Sequence, residues 1–549
     1  MSARAGAPYK VVVTEPLPPE SLTSLYEGAE VTAFPRSPDM DQLMEALQDA
    51  DGLIVRSGTR VTREVLAGAP RLRVIGRAGV GVDNIDLEAC TERGIFVVNV
   101  ADGNSVAVAE HTFALMLSLL RRVVAAHQSL AAGKWERSRF VGEELRGKTL
   151  GLVGFGRVGS EVARRALVFG MKVLGFDPYV TASRFQAMGV QQMELPELLA
   201  NADIVSLHIP RTPETRNIID AEALATMKPG AYIINCARGG LIDEAALEAA
   251  LREGRLAGAA LDVFETEPPG QHPLAELPNV VLTPHLGGST QQALNYIAAS
   301  VADQVMRLLR GEPARGVVNL PYLSDEDWRA IGPLVPMAET LGLIYREGLG
   351  GPMEKVEVVV RAADLPSARA VEILTGAVLK GMLEGIVQDP VNLVNAPLLA
   401  SRRGLEVSQR TETAREAVGP VISVAGLTEP RRTVSATLSV DGTVRLTNLD
   451  GLPIDMVPGH CLLLTRHQDR PGMIGRVGSI LGRHGVNIAA MQVARREVRG
   501  EAIMVLALDD PVPPEVLAEL RGTENMVETR VVILPHFNSG SGAGAAGEE

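Results

Sequence analysis

Cysteine is nearly missing from this chain: Cys90, Cys236 and Cys461 are the three present in 549 residues, far apart and odd in number. Such a set supplies neither a disulfide framework nor zinc-ligand spacing. No metal site is expected, and a reducing cytoplasm is the expected compartment. Long apolar runs are missing as well. None approaches the ~20 residues of a membrane span, and the first residues lead straight into Lys10-Val11-Val12-Val13 without the apolar core of a secretory signal. No membrane partner is expected. Positive charge is in short supply, the formal net charge being -13. That argues against a nucleic-acid surface, while leaving room for local basic clusters that hold small anions. What is present is globular material: 46% hydrophobic and 22% charged residues can bury cores. The length is several times that of a common ~150-residue domain, so three or more folded units are expected.

Between residues 10 and 100, short β-branched runs (11–13, 53–55, 74–75, 96–98) alternate with helix-like stretches such as 41–50, the pattern of a parallel sheet wrapped by helices. Residues 105–132 read as one long helix, apolar on most faces through Phe113-Ala114-Leu115-Met116-Leu117. A helix without a polar side is expected to be buried, here between domains or subunits. A second series follows, with strands predicted at 149–153, 172–176, 204–208, 232–235, 258–261 and 280–283. Six such strands suit a dinucleotide-binding fold. Ser289 and Gln292 form a predicted capping box for a helix over 290–309 that returns the chain to the first unit. After Asn319-Leu320-Pro321 the composition changes. A third unit begins at 355–362, with a helix over 368–383, strand-like stretches at 433–440 and 443–448 and no catalytic pattern; a fourth reads β, α, β, β, α, β. The expected boundaries are 8–101 with 288–320, then 102–287, 322–455 and 460–535, with a tail at 537–549 too poor in apolar side chains to order.

Gly154-Phe155-Gly156-Arg157-Val158-Gly159 follows a strand and opens a helix, the context that gives this glycine spacing its meaning. The first glycine permits a tight turn, the second lets a pyrophosphate approach the backbone, and the third lets helix and strand pack; the phosphates then meet the helix N-terminus. Asp177 ends the next strand, near the usual spacing of about 20 residues for a carboxylate that accepts from the adenosine ribose and repels a 2′-phosphate. NAD is therefore expected over NADP. The similar Gly76-Arg77-Ala78-Gly79-Val80-Gly81 lacks the third glycine and an obvious helix, and reads as a substrate-facing loop.

Arg238, Glu267 and His285 each follow a predicted strand and so project from one edge of one sheet, where α/β folds bind ligands. Oxidising a 2-hydroxy acid needs a base for the hydroxyl proton, and histidine switches near neutral pH. A carboxylate beside it favours the imidazolium and fixes the tautomer, a role for Glu267. A guanidinium holds the substrate carboxylate and polarises the forming carbonyl, a role for Arg238.

These motifs resemble the D-isomer-specific 2-hydroxy-acid dehydrogenase family over residues 8–320. The likeness is carried by Val55-Arg56-Ser57, the stretch from Gly76 to Asn84, the glycine loop, the stretch from Asn235 to Asp243, Leu261-Asp262-Val263-Phe264-Glu265-Thr266-Glu267-Pro268 and Thr283-Pro284-His285-Leu286-Gly287-Gly288. The resemblance implies the same catalytic triad. It further implies cofactor contacts from Pro210, Cys236, Ala237, Asp262, Gly287 and Gly288, and a phosphorylated substrate held by Arg56, Ser57, Arg77, Gly79 and Asn104. Val80 departs from the threonine often found in its loop. Trp135-Glu136-Arg137 resembles a segment in which an arginine reaches a neighbouring subunit's site, so Arg137 is expected to act in trans in a homodimer or homotetramer.

The stretch from His467 to Gly472, with Val486-Asn487-Ile488, resembles an ACT domain, and 322–455 looks like the intervening domain of longer members. Related ACT domains imply L-serine as effector, held by His467, Asp469 and Asn487. The implied fold is α/β: a Rossmann-type dinucleotide-binding domain inserted in a flavodoxin-like substrate domain, then an α+β intervening domain and a ferredoxin-like ACT domain. The implied activity is NAD-dependent oxidation of 3-phospho-D-glycerate to 3-phosphooxypyruvate, the first step of phosphorylated serine synthesis, with feedback by L-serine. Open alternatives are glycerate, lactate or 2-hydroxyglutarate as substrate, or a non-catalytic NAD sensor.

Overall fold

A computed structural model describes residues 8–363, 367–387, 390–413 and 419–535; the tail expected at 537–549 lies outside the described residues. The β-branched runs near the start form a five-stranded parallel sheet, in the order Ala29–Ala33, Tyr9–Val13, Gly52–Val55, Val74–Arg77, Phe96–Asn99, the flavodoxin-like arrangement. Helix Gln291–Leu309 lies across it, packing Ile297, Val301 and Val305 on Val11, Ile54 and Val98. Burial of each such side chain is worth about 1.5–3 kcal/mol. The approach is so close that a Cβ on Gly76 would stand 2.6 Å from Val301 and 2.7 Å from Val305. Helix packing is thus what demands that glycine. The helix is capped one residue later than expected: Thr290, extended at φ -119°, accepts from the Ala293 amide, whereas Ser289 is still in a turn, its amide donating to Leu286.

The inserted unit is a parallel sheet of seven strands, ordered Val280–Leu282, Gly258–Leu261, Tyr232–Asn235, Ile204–Leu207, Thr149–Val153, Lys172–Phe176, Gln191–Gln192. The unexpected seventh strand is a two-residue polar edge with no apolar signature. The strand order reverses at Thr149–Val153, which opens a crevice at its carboxyl end. The predicted helix over 105–132 is two helices, Ser105–Leu120 and Val123–Ala131, because Arg122 takes a left-handed φ of 53°. The first is buried along most of its length, whereas the second has no buried residue.

A mixed six-stranded sheet follows, ordered Glu406–Thr413, Lys355–Ala362, Val421–Gly426, Thr433–Leu438, Val444–Leu449, Leu452–Met456, with helices Leu334–Leu343 and Ala368–Leu383 packed against each other. The last sheet is four-stranded and antiparallel, ordered Ile488–Arg495, Glu501–Leu508, Cys461–Gln468, Met526–Ile533. Alternation along its strands decides two faces. Leu463, Met504 and Leu506 meet helices Met473–Arg483 and Pro514–Arg521, while Leu462, Leu464, Ile503 and Val505 join the core of the six-stranded unit. Arg432 and Asp450 of one sheet interlock with Arg466 and Glu528 of the other. The six-stranded unit touches the first domain through Asn392, which donates to the Gly94 carbonyl, and through an Arg402–Glu92 ion pair. Among the described residues no helix is long and apolar enough to cross a membrane.

Candidate active site

The glycine loop begins where strand Thr149–Val153 ends. A Cβ on Gly154, at φ +102°, would stand 2.4 Å from the His208 carbonyl oxygen, and one on Gly159 would stand 2.2 Å from that of Gly154. Both positions are closed to any side chain. Gly156 is the opposite: a Cβ there would meet nothing within 4 Å, and it is the N-cap of helix Arg157–Val168. A tight turn, an open approach and free helix amides are what a dinucleotide pyrophosphate requires, so these residues fit the cofactor. Arg157 is exposed at this approach and Val158 packs into the core behind it. The Asp177 carboxylate is fixed at the loop, accepting from the Phe155 amide at 2.9 Å and the Tyr179 amide at 3.0 Å. Pro210 is exposed, its carbonyl accepting from Thr215 Oγ1 at 2.8 Å.

His285 and Glu267 meet directly, Nδ1 to Oε2 at 2.8 Å, while Glu267 Oε1 accepts from the Phe264 amide at 3.1 Å. The hydrogen bond from Glu267 raises the imidazole above its ordinary 6.5, against the opposing effect of burial. Burial pushes the Glu267 carboxyl up, but His285 and the Phe264 amide bring it below its usual value. His285 also has a left-handed φ of 53°, a conformation that costs a non-glycine residue on the order of 1–3 kcal/mol and persists only where its surroundings enforce it. The enforcement comes from Asp262, wholly buried, which accepts from the amides of Leu286 at 2.7 Å and Gly287 at 2.8 Å. Asn104 borders the same turn, its Nδ2 2.9 Å from where a Cβ on Gly288 would lie.

Arg238 is presented by a turn that Asn235 closes, its Nδ2 donating to the Arg238 carbonyl and its Oδ1 accepting from the Ala237 amide. The guanidinium donates to the Ala237 carbonyl at 2.7 Å and to Asp83 at 3.3 Å. Gly81 passes beneath it, since a Cβ there would stand 2.3 Å from the guanidinium. Arg77 lies alongside. Burial, together with the charges of Arg238 and Arg56, lowers its guanidinium to about 10. Its Nε is buried and has no hydrogen-bond partner, and Gly79 leaves the space its guanidinium occupies. Arg56 sits on a loop whose amides at 56, 58 and 59 all donate to Glu15 and whose carbonyls at 56 and 59 accept from Asn84. Ser57 is exposed there. Three guanidiniums act on one another here beside Asp83 and Glu15, and the buried, unpartnered Arg77 Nε leaves room for a further anion.

Other residues lie elsewhere. Arg137 is exposed beside a separate cleft of about 640 Å³ with Leu130, Trp135, Phe140 and Val141. His467 is buried in the last sheet, Asp469 pairs with Arg495 and accepts from the Arg499 amide, and Asn487 donates to Asp509 at 2.6 Å. Cys236 is buried near the strand end and its thiol is pushed up to about 12 by burial. Burial pushes Cys90 to about 12 and also raises Cys461. A thiol is reactive only as thiolate, so iodoacetamide at pH 8 is expected to leave the native protein unlabelled, as mass spectrometry would read out. Glu15, Asp83, His111 and Thr283 escape sequence reasoning because their partners are remote: Asp83 meets Arg238 at 155 positions' distance.

Known proteins decide the family. A D-3-phosphoglycerate dehydrogenase of Methanocaldococcus jannaschii is 43% identical over 96% of this chain and 100% of its own length. That of Synechocystis is 42% identical over 93% of this chain and 92% of its own length, and that of Bacillus subtilis 39% identical over 96% and 100%. The chain belongs to the D-3-phosphoglycerate dehydrogenase family. Residues 113–287 match the NAD-binding domain of D-isomer-specific 2-hydroxyacid dehydrogenases, 330–450 the D-3-phosphoglycerate dehydrogenase intervening domain, and 462–525 the ACT domain. The catalytic half of this family member also aligns with solved structures. The TT0316 protein of Thermus thermophilus is 40% identical with a TM-score of 0.53, covering 56% of this chain and 99% of its own. A D-lactate dehydrogenase of Aquifex aeolicus, complexed with NAD and lactic acid, is 32% identical with a TM-score of 0.50, covering 55% of this chain and 96% of its own.

Proposed function

We propose that the enzyme oxidises 3-phospho-D-glycerate to 3-phosphooxypyruvate with NAD+, the first step of phosphorylated L-serine synthesis. One observation carries the substrate choice: the charges of Arg56 and Arg238 both bear on Arg77, and that of Arg238 also reaches His285, so more positive charge collects here than a lone carboxylate needs. A phosphorylated acid brings a second anionic group, which suits Arg56, Arg77 and the exposed Ser57, while Arg238 takes the carboxylate and the developing carbonyl. Glu267 holds the proton on His285 Nδ1, which leaves Nε2 as the base that accepts the hydroxyl proton. The nicotinamide, bordered in this reading by Cys236, Ala237 and the turn at Asp262 and Gly287, supplies the hydride acceptor. Steady-state rates with 3-phospho-D-glycerate, D-glycerate, D-lactate and D-2-hydroxyglutarate test the assignment. Preference for the phosphorylated acid is expected, and preference for another acid sinks it.

Asp177 supports NAD as the cofactor, since a fixed carboxylate beside the ribose repels a 2′-phosphate. Asp177→Ser is expected to narrow the NAD over NADP preference by about 10²-fold in kcat/KM, the ~3 kcal/mol of a repelled and unpaired charge, measured with both cofactors.

The working form is a homodimer or a homotetramer built on it. Val123, Leu130, Trp135 and Val141 are exposed by 51%, 58%, 78% and 75% along one segment, and large apolar side chains exposed together mark a protein contact. In that assembly Arg137 reaches the partner's substrate. L-serine binds the ACT unit through His467, Asp469 and Asn487, and lower activity on adding it tests the point. Three buried free thiols suit a cytoplasmic location.

A further inference from the structure

Helix Ser105–Leu120 passes behind the turn that carries His285, and His111 stands on it between Glu110 and Thr112. His111 Nε2 lies 3.1 Å from Asp262 Oδ1 and 3.1 Å from Thr283 Oγ1. The partners decide its tautomer. Thr283 Oγ1 donates to Asp262 Oδ1 at 2.6 Å, and an ionised carboxylate only accepts. Nε2 must therefore carry hydrogen, because a bare nitrogen would set its lone pair against the carboxylate.

Asp262 gathers three successive amides. Its carbonyl accepts from His285 at 2.9 Å, Oδ1 from Leu286 and Oδ2 from Gly287. This clasp holds His285 at its left-handed φ of 53°. Burial alone would push the Asp262 carboxyl up; donors bring it below its ordinary value, with His111 the largest of them. The anion that clasps the turn thus depends on a side chain supplied by a neighbouring helix.

We infer that His111 is a positioning residue for hydride transfer: acting through Asp262, it fixes the backbone from His285 to Gly287 and so the point at which the imidazole meets the substrate hydroxyl. This rests on His285 being the base. The hydrogen bonds of the His111 ring go to Asp262 and Thr283. Substrate binding is therefore separable from turnover.

The test uses the full-length enzyme. His111→Leu removes the donor and is expected to lower kcat about tenfold or more, with KM for 3-phospho-D-glycerate within about twofold of the parent value. His111→Gln, whose amide N–H replaces that at Nε2, is expected to regain most of kcat. Should the leucine variant fail to fold, His111→Asn, polar but too short to reach Asp262, takes its place. Unchanged kcat in the donor-less variant overturns the inference. So does a joint loss of kcat and KM that glutamine does not repair, the mark of a merely structural residue. If the parent prefers another 2-hydroxy acid, the comparison is made on that acid, so a wrong substrate and an idle His111 give different results.

Discussion

His285→Ala is expected to lower kcat for oxidation of 3-phospho-D-glycerate by about 10²- to 10⁴-fold, the usual contribution of a general base, with NADH binding little changed. The histidine faces three charges: Glu267, Asp262 and Arg238. Glu267 dominates and raises the imidazole above 6.5. Oxidation requires the neutral ring, so its rate falls as pH drops through this raised value. Reduction requires the imidazolium, so its rate falls as pH rises through it. Glu267→Gln removes the charge that favours the imidazolium, which moves both limbs to lower pH. At neutral pH the variant loses more in reduction than in oxidation. Profiles of kcat/KM recorded in both directions check this, and limbs that stay where they are in the parent rule Glu267 out as the cause.

Arg238→Ala is expected to cost about 10²- to 10³-fold in kcat, as loss of a donor to a developing oxyanion does, and to raise KM as well. Lysine is a poor substitute, because its ammonium cannot reproduce a planar fork aimed at a carboxylate. Arg238 and Arg77 separate by substrate. Arg238→Ala should damage turnover of every 2-hydroxy acid, since all carry the carboxylate and hydroxyl. Arg77→Leu should damage the phosphorylated acid and spare D-lactate or D-glycerate, because it removes charge meant for the phosphate alone. Equal losses on both classes would place Arg77 with the carboxylate and remove the main support for a phosphorylated substrate.

Much of this site is legible in sequence because α/β folds put function at strand ends. Arg238, Glu267 and His285 each follow a β-branched or apolar run, and Gly154 to Gly159 sits between a strand and a helix. What stays hidden has no local signature. His111 lies in the middle of a largely apolar helix, where a histidine reads as core, and its meaning comes from Asp262, 151 positions away. Glu15 looks like a loop acid until the fold brings it to the amides of residues 56 to 59. Helix breaks are similarly mute. Arg121 and Arg122 carry no glycine or proline to announce that the helix over 105–132 divides, and Ser289 offers as good a cap as Thr290 until the turn before it is known. The two-residue strand Gln191–Gln192 is defined by its neighbour alone.

The apolar core common to the six-stranded and four-stranded sheets has a bearing on how this enzyme can be taken apart. Leu462, Leu464, Ile503, Val505 and Val532 are as much the floor of one sheet as the wall of the other, so the ACT unit is not a detachable accessory. A chain cut after Met456 keeps an intact catalytic half but leaves a bare hydrophobic slab where the last sheet stood, and such a fragment is prone to aggregate. In urea, the two sheets are expected to come apart in one cooperative step, their innermost amides exchanging at a common slowest rate. Removing the proposed L-serine response is therefore better attempted by single changes at His467, Asp469 or Asn487 than by truncation.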